Sequence, residues 1–108
     1  MTDETAASLE QVLAEAATEL EAVDEAATPG GTTEWSIDGL VFASVAAGRA
    51  EFRLDPMVAA AALRTPDTSP SPRGGDWVVF APPELDRHAI DRATAWLASA
   101  WRRADGES

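Results

Sequence analysis

Residues 76–104, DWVVFAPPELDRHAIDRATAWLASAWRRA, admit few folds. Trp77, Val78, Val79 and Phe80 are consecutive β-formers, and Pro82-Pro83 ends the strand because proline has no N–H for a ladder. Asp86 is placed to cap a helix. Along that helix Ala89, Ile90, Ala93, Leu97, Ala100 and Trp101 recur at three- and four-residue spacing, with Trp96 at the margin of the stripe. A strand feeding a long one-sided helix requires a sheet for the helix to cover.

The middle of the chain supplies that sheet. Thr33–Ile37 leads into Asp38-Gly39, a pair suited to a two-residue hairpin because both positions take positive φ. Leu40–Ala46 forms the second strand, Gly48 marks the next reversal, and 49–55 forms the third. There Ala50, Phe52 and Leu54 alternate with Arg49, Glu51 and Arg53, so one face is buried and the other wet. Asp55-Pro56 then starts a short helix over 57–64, with Asp55 as cap. Residues 65–75, TPDTSPSPRGG, read as a surface loop, since their prolines and glycines exclude a helix or a central strand.

Ahead of the sheet, residues 3–27 read as a helix capped by Thr2 or Asp3. Leu9, Val12, Leu13, Ala16, Leu20 and Val23 form its apolar stripe, and Thr28-Pro29-Gly30-Gly31 stops it. Glutamates late in this helix oppose its dipole, so its last turn is expected to fray. The expected architecture is one α+β domain spanning 1–108. It has two layers, a four-stranded antiparallel sheet with helices packed on one face, in the order α-β-β-β-α-β-α.

Charge narrows the function. The net charge is −11, and residues 1–38 hold ten acids and no basic residue. Such a field repels phosphate backbones and argues against non-specific nucleic-acid binding. With no cysteine, thiolate chemistry and cysteine metal sites are excluded. No apolar run is long enough to cross a membrane and no signal peptide is visible, so the expected location is cytoplasmic.

Several stretches resemble the MmcQ/YjbR-like proteins: Thr28-Pro29-Gly30-Gly31-Thr32, Gly39-Leu40-Val41-Phe42-Ala43, Glu51-Phe52-Arg53-Leu54-Asp55-Pro56, Trp77-Val78-Val79-Phe80, and the helix ending Trp96 to Trp101. The resemblance implies a frataxin-like or double-wing α+β fold, with a DNA-binding role by fold analogy. Family members are more basic. Where they carry lysine or polar residues before the Phe-Ala pair and the Trp, this chain has Asp38-Gly39 and Gly74-Gly75-Asp76.

The candidate site residues follow from chemistry. His88 is the only imidazole, but no nucleophile is spaced near it, and it reads as a solvated surface residue. Arg73-Gly74-Gly75 offers at most a small anion nest. Arg49, Arg53, Arg87, Arg92, Arg102 and Arg103 would form an anion- or partner-binding patch if the wet sheet face and the last helix adjoin. Otherwise they neutralise the acidic first helix or simply keep the surface wet. Trp35 and Trp96 are candidates for partly exposed contact residues, whereas Trp77 and Trp101 are expected in the core, and core filling is the favoured account of all four in a chain this small.

The expected function is a non-enzymatic binding or regulatory domain with no cofactor, acting on a protein partner or a second copy of itself. Its contact surfaces would be the acidic first helix, the 65–75 loop and the arginine-bearing last helix. The alternatives are DNA binding through the arginine patch, and a small-molecule site or enzyme with a pocket under the loop.

Overall fold

A computed structural model describes residues 8–107. The elements in order are α1 (Leu9–Ala17), β1 (Asp24–Ala27), β2 (Thr33–Ile37), β3 (Leu40–Ala46), β4 (Arg49–Arg53), α2 (Pro56–Ala62), β5 (Thr68–Pro70), β6 (Trp77–Phe80) and α3 (Arg87–Glu107). The class is α+β, with three helices and one open antiparallel sheet. The sheet has six strands rather than four, in the order β1-β2-β3-β4-β6-β5.

Both extra strands lie at edges. Residues 24–27, expected to end the first helix, form β1 and pair with β2, Glu25 opposite Trp35 and Ala27 opposite Thr33. Helix α1 is therefore only nine residues long. It starts from a capping box: the Gln11 N–H donates to Ser8 Oγ at 3.1 Å, and the Ser8 N–H donates to Gln11 Oε1 at 2.9 Å. The proposed caps Thr2 and Asp3 lie outside the described residues. At the other end the Thr18 hydroxyl donates to the Glu15 carbonyl at 2.6 Å, and Ala22 takes a positive φ of 61° that turns the chain into β1. Thr28-Pro29-Gly30-Gly31 is thus not a helix stop but the β1–β2 turn, closed by the Thr28 N–H donating to the Thr32 carbonyl at 2.7 Å.

The second addition falls within 65–75. Thr68–Pro70 pairs with β6, Ser69 opposite Val79, and Ser71–Asp76 turns the chain back. Pro70 is tolerated because this is the sheet edge, where a missing N–H breaks no further ladder. The other expected turns are present. Asp38 and Gly39 have φ of 51° and 81°, and Asp86 caps α3 by accepting from the Ala89 N–H at 2.8 Å. Asp55 precedes α2 without a side-chain capping bond.

Helices α1 and α3 pack on the sheet face that carries Trp35, Val45, Phe52, Val78 and Phe80. From α1 the core receives Leu9, Leu13 and Ala17, and from α3 Ala89, Ala93, Trp96, Leu97, Ala100 and Ala104. Trp96 sets its ring edge-on to Phe80 with centroids 5.1 Å apart, and lies 6.2 Å from Phe52. Such aromatic geometry adds about 0.5–1.5 kcal/mol per pair to the area term. Val12 and Ala16 of α1 and Ile90 of α3, expected within the buried stripes, are only half-buried. No helix among the described residues is long and apolar enough to cross a membrane.

Candidate contact surfaces

Core filling, the favoured account of all four tryptophans, holds for Trp35 and Trp96 and only partly for Trp77 and Trp101. Trp35 is 1% exposed and Trp96 9% exposed, so neither offers a contact surface, while Trp77 and Trp101 are only half-buried. For Trp35 the reason is β1. It makes β2 an inner strand, and the Glu25 carboxylate crosses over to accept the Trp35 indole N–H at 2.9 Å. Trp101 instead points its indole N–H outward to the Glu21 carbonyl at 2.9 Å, fastening α3 to the turn after α1.

The arginines fall into separate settings. Arg49 and Arg53 flank Glu51 on the wet face of β4. Arg49 reaches the Glu51 carboxylate at 3.7 Å, and Arg53 leaves the face to pair with Glu107 at 2.6 Å. Arg92 donates to the Pro66 carbonyl at 2.9 Å and lies 4.0 Å from Asp67, with its guanidinium 4.9 Å above the Phe80 ring. It fastens α3 to the segment before β5. Arg103 is the most engaged: it donates to the Leu54 carbonyl, to Asp76 at 3.0 Å and to Glu107 at 3.3 Å, with Asp55 at 3.9 Å. Arg87 and Arg102 are exposed and make no ion pair among the described residues. Fifteen positions apart on one helix, they are separated by about 22 Å along its axis.

Sequence reasoning left Arg73 out of the arginine patch. The 65–75 segment folds back through Gly74 and Gly75, with φ of 79° and 58°, and lays Arg73 across the open sheet face. There its guanidinium meets Glu51 at 2.5 Å, Glu34 at 3.7 Å and the Ser44 hydroxyl at 3.2 Å, and stacks 4.4 Å from the Trp77 ring. The Gly74 N–H, which an anion nest would need, donates to the Ser71 carbonyl within the turn at 2.9 Å, so the Gly-Gly pair is a turn leading into a strand. Next to Arg73 is a recess of about 190 Å³ bounded by Thr32, Ser44, Ala46, Arg49 and Glu51. The only local signal was an arginine just before a Gly-Gly pair. Its partners lie 22 and 39 positions away, which no spacing rule reports.

These contacts divide the surface by charge. Among the described residues, every ion pair joins an arginine to an acid at or after Glu34. Residues 8–33 contain six acids and no base. Of these, Glu10 accepts from the Gly48 N–H at 3.1 Å and Glu25 from Trp35, whereas the Glu15, Glu19, Glu21 and Asp24 side chains meet no cation among the described residues. Among the described residues no arginine pairs with an acid of the first helix. His88 is exposed on α3 and has no hydrogen-bond partner among the described residues.

Glu107 has its carboxyl held below the ordinary glutamate value. The main cause is the hydrogen bond from Arg53, partly opposed by desolvation, with a further hydrogen bond from Arg103 and attraction to both guanidinium groups. A carboxylate whose folded pKa is depressed binds fewer protons folded than unfolded. Its contribution is complete above the unfolded value and is lost as pH falls through the folded one. Urea midpoints measured between about pH 5 and about pH 3 should therefore fall less steeply for Glu107→Gln than for the parent chain. Equal slopes would mean that the pairing is not maintained in solution. On Arg103, partial burial works against the charge, but hydrogen bonds and attraction to Asp76 and Glu107 outweigh it and raise the pKa.

Comparisons with protein-family models, with curated proteins and with solved structures returned no match.

Proposed function

We propose that this chain is a non-enzymatic binding domain acting through protein contacts, with the acidic surface of α1 and β1 as its contact face. The supporting observation is the charge division: Arg53, Arg73, Arg92 and Arg103 are spent on carboxylates within the sheet-and-α3 half, while Glu15, Glu19, Glu21 and Asp24 are left facing water. An uncompensated acidic face steers cationic partners and repels nucleic acid. The MmcQ/YjbR-like resemblance offers DNA binding as the alternative, and that alternative rests on Arg87 and Arg102, the two of its six arginines without an ion pair among the described residues.

The test is affinity capture from an extract of the source organism. The parent chain is compared with a variant carrying Glu15→Gln, Glu19→Gln, Glu21→Gln and Asp24→Asn. A protein retained by the parent, lost with the variant and released by salt is the expected result. Retention of nucleic acid, or identical captures by the two chains, would refute the proposal.

A further inference from the structure

Resting on the protein-contact reading above, we infer that the seat of that contact is the groove between α1 and α3, and that its occupant is a basic amphipathic helix of a partner protein. The two helices pack against each other, and the shallow, solvent-open groove along their seam offers about 640 Å³. Val12 and Ala16 line it from α1, and Ile90 and Thr94 from α3. Each pair is four residues apart, so each helix offers one ridge of side chains, and all four are half-buried. Glu15 and Glu19, also one turn apart, form an exposed acidic rim with no cation among the described residues.

This combination selects an occupant. An apolar floor between two helices accepts aliphatic side chains spaced at i and i+3 or i+4 on a third helix, the pattern of helix-in-groove recognition. The glutamate rim requires lysine or arginine flanking those anchors. A small ligand fits less well, because no lining polar group is buried enough to fix its orientation. A second copy of the chain brings a net charge of −11 against the same acidic rim.

The experiment uses the isotope-labelled chain and a synthetic peptide of repeated Leu-Lys-Lys-Leu-Leu-Lys units, with oligolysine of equal charge as control. The amphipathic peptide should shift the amide resonances of Val12, Ala16, Ile90 and Thr94. Ile90→Ser, and separately Glu15→Lys with Glu19→Lys, should each weaken it about tenfold or more. Circular dichroism establishes that the variants are folded. Unchanged affinity in folded variants, equal affinity for oligolysine, or no binding of the amphipathic peptide would overturn the inference. So would sedimentation showing a second copy in the groove. Peptide shifts confined to β1 would overturn the groove assignment while leaving the protein-contact reading in place. The capture experiment judges that reading independently.

Discussion

Trp35→Ala is expected to destabilise the fold by about 3–5 kcal/mol, the range for emptying a large aromatic site in a core. The side chain is 1% exposed, enclosed by β1, β3 and α1, and its removal also strands the Glu25 carboxylate that accepts the indole N–H. A domain of this size is stable by only about 5–15 kcal/mol, so the loss is a large share of the total. Trp35→Phe separates the two causes. It keeps most of the volume but loses the hydrogen bond, and should cost about 1–2 kcal/mol. Urea denaturation followed by circular dichroism reads both. A loss below about 1 kcal/mol for the alanine variant would place Trp35 at the surface and remove β1 from the sheet.

The second large effect is at Arg103. With its side chain 16% exposed, it ties the last turns of α3 to the end of β4 and the start of β6, through the Leu54 carbonyl, Asp76 and Glu107. Arg103→Ala leaves a buried carbonyl and a half-buried aspartate without their donor, and should cost about 2–3 kcal/mol. Arg103→Met retains the apolar stem but loses the charge and the donors, so it should recover only the packing part of that loss. If alanine and methionine behave alike and both cost less than about 0.5 kcal/mol, the cluster is an ordinary surface pairing of little worth.

Much of the fold is legible because its signals are local. The α3 stripe, the Asp86 cap and the Asp38-Gly39 reversal each depend on residues within a few positions of one another. Strand β1 was missed for a definite reason. Leu20 and Val23 continue the helical spacing of Leu9, Leu13 and Ala16, and Asp-Glu-Ala-Ala carries little β preference. The helix stops at Ala17, and a positive φ at Ala22, a conformation that alanine does not advertise, then turns the chain into β1. Everything built on that boundary shifted with it: Trp35 moved from the sheet margin to its interior. Arginine pairing was illegible in a different way. Arg73 meets Glu34 and Glu51 only because a hairpin folds one edge segment over the open sheet face, and Arg53 meets Glu107 only because α3 returns to the end of β4. Sequence spacing gives charge and helical face, but not which distant carboxylate each guanidinium will find.

On the proposed reading the arginines mainly hold this fold together and the contact face is acidic. The most direct measurement is titration of a labelled DNA duplex with the chain at about 50 mM salt, followed by anisotropy, where phosphate contacts are at their strongest. No saturable binding is the predicted result. Saturable binding that weakens steeply with salt and is abolished by Arg87→Ala with Arg102→Ala would contradict the account, and would make α3 the functional surface.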